Sequence, residues 1–186
     1  NPDNGTVEWS FADWGPKEGK WANIAPNTPL YKDGKIFFCH GYNINGVMLQ
    51  LSDDLKSVSV VWRTDVLDTH HGGYVEVNGT IYGSNWINNN QGNWCAIDWN
   101  TGAKGYETTW TGGKGKGSII AADGMLYCYD ERRGAVALVN PDPAKFDIVS
   151  EFRITKGVGP HWAHPVIVNG VLYIRHGFAL MAYKVK

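Results

Sequence analysis

An Asp-Gly or Asn-Gly pair recurs four times along the chain, at Asp33-Gly34, Asn78-Gly79, Asp123-Gly124 and Asn169-Gly170, with spacings of 45, 45 and 46 residues. Such pairs accept positive φ at both central positions of a type I′ turn, the turn whose twist matches a β-hairpin. Each lies between two short apolar runs, and an aromatic follows three residues after every glycine: Phe37, Tyr82, Tyr127 and Tyr173. One hairpin-centred unit is therefore repeated four times. An all-β period of about 45 residues predicts propeller blades.

Aligned on the turns, incoming strands are expected at 29–32, 74–77, 119–122 and 165–168, and outgoing strands at 35–40, 80–85, 125–130 and 171–176. Third strands are expected at 47–51, 94–98, 135–139 and 179–185, and fourth strands at 58–63, 104–110 and 147–154. The whole chain, 1–186, thus reads as a single array of four-stranded antiparallel blades: 27–63, 72–110, 117–154 and 163–186. The last blade lacks an outer strand, while residues 1–10, centred on Thr6-Val7-Glu8-Trp9-Ser10, have the character of a spare one. Free strand edges invite pairing. The expected outcome is half of an eight-bladed ring, completed by a second copy of the chain or by a missing N-terminal half; a four-blade ring closed within one chain would satisfy the same edges.

Composition fits a folded β protein, with 43% hydrophobic residues, 23 glycines, and nine each of Trp and Tyr to pack between sheets. The formal charge of −1 and the absence of any cationic run longer than Arg132-Arg133 remove the drive toward nucleic acid. No apolar stretch approaches the roughly 20 residues of a membrane-spanning helix. Cys39, Cys95 and Cys128 fall inside expected strands at spacings unsuited to a Cys-x-x-Cys site, so buried free thiols are expected.

The most specific motif is Ala96-Ile97-Asp98-Trp99-Asn100-Thr101-Gly102-Ala103-Lys104-Gly105-Tyr106. It resembles the tryptophan-docking repeat of pyrroloquinoline-quinone (PQQ)-like propellers, Ala-x-Asp-x-x-Thr-Gly-x-x-x-Trp, with Tyr106 in the last place. Asp3-Asn4-Gly5-Thr6-Val7-Glu8-Trp9 is a shortened copy, whereas Leu51-Ser52-Asp53-Asp54 and Val139-Asn140-Pro141-Asp142-Pro143 depart from the pattern. In physical terms, Thr-Gly makes a tight turn and the aromatic docks on the neighbouring blade. The ending from His161-Trp162-Ala163-His164-Pro165 to Tyr183 resembles the C-terminal blades of secreted bacterial members. The resemblance implies an extracytoplasmic location, periplasmic or secreted, and chains of about twice this length.

In a propeller the loops leading into the first strands crowd one face of the central channel. Here they are 23–28, His70-His71-Gly72-Gly73, Lys114–Ser118 and His161-Trp162-Ala163-His164. Four of six histidines therefore share that face. Converging imidazoles can bind a divalent metal or a polar ligand, or tie adjoining blades through backbone carbonyls. With no carboxylate or cysteine beside them in sequence, no metal and no cofactor is expected. His70, His71, His161, Trp162 and His164 are the candidate ligand-binding residues. Trp86 and Asn93 join them, because 84–94 mixes amides with indoles as sugar sites do. Gly112–Ser118 fails the Gly-x-x-x-x-Gly-Lys-Ser/Thr order of a phosphate loop and reads as a flexible loop.

Quinoproteins of the resembled superfamily hold PQQ with a catalytic Asp and a Ca²⁺ bound by Glu, Asn and Asp, often under a vicinal Cys-Cys disulfide. No such Cys-Cys pair exists here, and none of Asp33, Asp65, Asp68, Asp123 and Asp130 has a matching context. No nucleophile can be paired with a base either. The preferred reading is a non-catalytic binding or scaffold protein, with an unidentified protein or glycan as its ligand. The alternatives are a fragment of a quinoprotein-type oxidoreductase using PQQ with calcium, and a glycan-binding module.

Overall fold

In the computed structural model, which describes residues 1–13 and 24–185, every Asp/Asn-Gly pair lies where two strands reverse. Asp33, Asn78, Asp123 and Asn169 have φ of 50–52°, and the glycines after them 72–83°. A side chain at Gly79 or Gly124 would meet nothing within 4 Å, so φ rather than space demands glycine there.

Four antiparallel sheets follow in chain order. Blade 1 holds β1 (Leu30–Lys32), β2 (Lys35–Cys39), β3 (Gly46–Leu51) and β4 (Val58–Thr64), and blade 2 holds β5 (Tyr74–Val77), β6 (Thr80–Ser84), β7 (Trp94–Asp98) and β8 (Lys104–Thr108). Blade 3 holds β9 (Gly117–Ala122), β10 (Met125–Asp130), β11 (Ala135–Asn140) and β12 (Asp147–Arg153). Blade 4 has only β13 (Val166–Val168), β14 (Val171–His176) and β15 (Ala179–Lys184). No helix occurs among the described residues. The chain is all-β, a four-blade propeller array.

Two local expectations need correction. Residues 6–10 form no strand, and Val7 is 81% exposed. A lone segment has no ladder to fix it, and this one is held instead by turn contacts, such as the Asn1 ammonium donating to the Thr6 carbonyl at 2.7 Å. The supposed flexible loop at Gly112–Ser118 ends inside β9, and Lys116, Gly117 and Ser118 are buried. Asn23 and Lys186, the outer limits of two expected segments, lie outside the described residues.

The core lies between blades, because central strands are apolar on both faces. Alternation along β6 sends Ile81 toward Phe37, Met48 and Leu67 at the blade 1 seam and Tyr82 toward Leu126 and Cys128 at the blade 3 seam. Along β10, Leu126 and Cys128 face blade 2, while Tyr127 and Tyr129 face Leu172 and Ile174 of blade 4. Each large side chain so buried contributes roughly 1.5–3 kcal/mol before entropy. The thiols of Cys39, Cys95 and Cys128 are free and buried within these seams. Burial raises their pKa, which leaves them unreactive at neutral pH.

The docking motif acts as its chemistry suggests. Asp98 Oδ1 accepts hydrogen bonds from the Asn100 and Thr101 amides and the Thr101 hydroxyl at 2.8–2.9 Å, closing the turn. Gly102, at φ +70°, leaves room for Trp62 of blade 1, whose ring would lie 2.6 Å from any Cβ placed there. A β-bulge recurs between third and fourth strands of blades 1, 2 and 3, leaving Val61, Gly105 and Val149 without opposed residues. Nearer the channel, a Cβ on Gly72 would stand 1.9 Å from the Gly117 carbonyl oxygen. The Ile119 amide donates to the Gly72 carbonyl at 3.2 Å, and the Ser84 hydroxyl bridges to the backbone of Gly117 at 3.0 Å. This seam fixes the loop before β5 against β9.

Candidate functional site

His70 and His71 sit in that loop, positioned from blade 1 by Asn27. Its amide nitrogen lies 3.2, 2.8 and 3.1 Å from the carbonyls of Cys39, Thr69 and His70, and its oxygen accepts the Gly73 amide at 3.2 Å. His70 Nε2 is 2.6 Å from the Tyr42 hydroxyl, and the Tyr42 ring packs on Trp86 with centroids 5.0 Å apart. On the other side the His71 ring meets His70 at 4.7 Å and Trp162 at 5.4 Å. A run of five aromatic rings, Trp86, Tyr42, His70, His71 and Trp162, thus crosses from blade 2 to the loop before blade 4. His164 closes the arc, its Nε2 lying 2.8 Å from the His71 carbonyl.

A carboxylate absent from the sequence neighbourhood completes the cluster. Glu131 follows β10, its amide donating to the Lys116 carbonyl and its own carbonyl accepting from the His161 amide, both at 3.1 Å. One carboxylate oxygen pairs with the Lys116 ammonium, and the other lies 3.1 Å from His71 Nε2. Lys116 is 1% exposed and also donates to the carbonyls of Asn88 (3.3 Å) and Asn89 (3.1 Å). A buried ion pair persists only with such further hydrogen bonds. Burial alone would raise the Glu131 pKa, but His71 and Lys116 outweigh it and hold the carboxylate below its usual range.

Burial, with His71 and Lys116 adding their charge, depresses His70 to about 4, so its imidazole is neutral at pH 7. His70 Nδ1 is buried without a hydrogen-bond partner, and His71 Nε2 is close to Glu131 yet not aligned for a hydrogen bond. Two imidazole nitrogens are thus left with unused capacity beside one anion. Next to them, Asn27, Leu30, His71, Tyr74, Ile119 and His164 line a hollow of about 320 Å³.

The other candidates divide. Trp162, His164 and Trp86 join the His70–His71 cluster, as above. His161 does not: its Nδ1 bonds the Tyr129 hydroxyl, and its buried ring stacks on His176 at 3.7 Å. The His176 nitrogens each lie 2.7 Å from a carbonyl, of Lys156 and of Gly159. Burial, with His176 adding to it, lowers His161 to about 4. That imidazole is a tie between blades 3 and 4.

Asn93 lies elsewhere, donating to Glu107 at 3.1 Å and lining a separate hollow of about 510 Å³ with Ile87, Trp110, Lys114 and Arg132. The indoles expected to serve a sugar do not face it together. Trp94 is buried to 1% against Phe146, and Trp86 is spent on Tyr42.

Sequence reasoning missed Glu131, Lys116 and Tyr42. Tyr42 and Glu131 occupy loops after second strands, which share a face with the loops before first strands. Overlaying both loop sets on the 45-residue period would have brought Glu131 beside His71.

No family model and no curated protein sequence matches the chain. Solved structures do. BamB from Moraxella catarrhalis superposes with a TM-score of 0.62 at 14% identity, over 88% of this chain and 47% of its own. A quinohemoprotein alcohol dehydrogenase from Pseudomonas putida HK5 gives 0.55 at 16% identity, over 80% and 28%. A europium-containing methanol dehydrogenase gives 0.51 at 15%, over 75% and 26%. These likenesses show the fold, a β-propeller, and the chain spans less than half the length of each of these structures.

Proposed function

We propose that this chain is a non-catalytic, extracytoplasmic binding or scaffold protein whose ligand is captured at the channel mouth around His70, His71, Trp162 and His164. The observation that carries the reading is the cluster of His70, whose Nδ1 is buried without a hydrogen-bond partner, and His71, whose Nε2 is paired only with Glu131, beside a lined hollow. Buried polar atoms without partners are uncommon, and a water, an ion or a ligand can complete them. The location follows the resemblance to secreted PQQ-like repeat proteins.

A quinoprotein reading fits the residues poorly. The cluster offers two imidazoles and a carboxylate already shared with Lys116, whereas Ca²⁺ takes six to eight oxygens. Adding PQQ with Ca²⁺ and following absorbance and thermal shift tests the proposal. No saturable binding is expected, and tight quinone binding to this chain overturns it.

Assembly belongs to the same reading. The outward face of blade 4 exposes Val166, Val168, Tyr173 and Leu180, an apolar surface of the kind that the other blades bury against neighbours. A second copy of the chain is expected to cover it. Light scattering at micromolar concentration should give a dimer, and a monomer near 20.6 kDa overturns this part.

A further inference from the structure

We propose that His70, His71 and Glu131 form a binding site for a borderline divalent transition-metal cation of the Zn²⁺ class. One ring nitrogen of each histidine and one oxygen of Glu131 lie within 4.8 Å of one another. Zinc bonds imidazole nitrogen and carboxylate oxygen at about 2.0–2.2 Å, which places tetrahedral ligands roughly 3.3 Å apart. His71 Nε2 and the Glu131 oxygen already stand 3.1 Å apart, so one edge of that tetrahedron is in place.

Three further features agree. His70 has one nitrogen engaged by the Tyr42 hydroxyl and the other buried and unpartnered. A ligating histidine characteristically uses its second nitrogen in this way, fixing tautomer and ring orientation. Lys116 grips only one oxygen of Glu131, which anchors the carboxylate and leaves the other oxygen for the cation. The His71 side chain is 23% exposed and lines the hollow beside the cluster. Nitrogen donors favour Zn²⁺, Ni²⁺, Co²⁺ or Cu²⁺ over Mg²⁺ and Ca²⁺. Three protein donors also leave a fourth position for water or an incoming ligand. The cation site rests on the reading of this face as a binding site, and metal titration reports on it separately from the quinone and light-scattering tests of that reading.

The test is titration of the metal-stripped chain with Zn²⁺ by calorimetry, and with Co²⁺ followed by its visible absorption. One ion per chain is expected, with the intense visible Co²⁺ bands of a four-coordinate site. The H70A/H71A double variant should lose at least about 100-fold in affinity, and Y42F about tenfold, as loss of a group that orients a ligating imidazole does. K145A, on the exposed turn between β11 and β12, should bind as the parent does. If the double variant does not melt cooperatively, H71A alone is read, with E131Q beside it. Absence of Zn²⁺ binding, binding unchanged in the histidine variants, or a weak six-coordinate Co²⁺ spectrum overturns the proposal.

Discussion

Two histidine sites occupy matching places in blades 2 and 4, and their surroundings have turned them to opposite uses. At the loop before β13, His161 is enclosed by Tyr129 and His176, and its bonds go to the protein itself. At the loop before β5, His70 and His71 are held by Asn27 and Tyr42 with nitrogen capacity left over, beside a carboxylate and near solvent. The repeat supplies the position. Whether the imidazole becomes a strut or a donor depends on what the adjoining blade offers it. Tyr129 offers His161 a hydroxyl, whereas Glu131 offers His71 an anion.

Removing the anion should separate the two sites most. E131A leaves the Lys116 ammonium buried without its counter-charge, and a cost of about 3–5 kcal/mol is expected in urea unfolding. A loss below about 1 kcal/mol would mean that the Asn88 and Asn89 carbonyls suffice for Lys116. Next in size, H161A should cost about 2 kcal/mol, since it deletes a buried stacked ring and strands the Tyr129 hydroxyl. H71A should cost less than about 1 kcal/mol while impairing capture at the channel mouth. Equal losses of melting temperature in the two variants would erase the distinction drawn here.

A third effect is smaller and depends on pH. His161 has a folded pKa of about 4 against an ordinary value near 6.5, so on acidification the unfolded chain takes up its proton first. Its contribution to stability is complete above about pH 6.5 and is lost as pH falls toward 4. Asp68 acts in the opposite sense. Burial outweighs the backbone amides that donate to it and raises it to about 6, so the folded state takes up its proton first and gains stability between pH 6 and 4. D68N should therefore steepen the acid loss of melting temperature, and H161Q should flatten it. Parallel melting profiles from pH 7 to 4.5 would show that neither group governs acid stability. Smallest of all, W162A should change stability by no more than about 0.5 kcal/mol, because that indole is 57% exposed, yet it should weaken ligand capture.

Most of the fold was legible because its determinants are local. Asp33, Asn78, Asp123 and Asn169 announce their φ by residue type, and apolar runs on either side announce the ladders. The spare strand at 6–10 failed for the complementary reason: strand character is local, but a strand exists only beside another. The site was half legible. His70, His71, Trp162 and His164 stood out as polar insertions at a shared place in the period. Glu131 and Lys116 did not, because Asp130-Glu131-Arg132-Arg133 and Lys114-Gly115-Lys116 read as solvated turns. Only the close seam between Gly72 and Gly117 carries those side chains under His71, and it is a contact between blades that no single unit encodes. The glycan reading lapsed for a similar reason, since packing against Phe146 took Trp94 out of its loop.

The bulges at Val61, Gly105 and Val149 have a bearing on solubility. They fall 44 residues apart, each on the outermost strand of its blade. A bulge breaks the even row of donors and acceptors that a foreign strand would need as a template, so β4, β8 and β12 are poor seeds for edge-on aggregation. Blade 4 has no such guard. Its outermost strand, β15, runs in unbroken register with β14 from Ala179 to Lys184, with Leu180 69% exposed. Among the outermost strands of the four described blades, β15 is the one whose pairing with its neighbour shows no bulge.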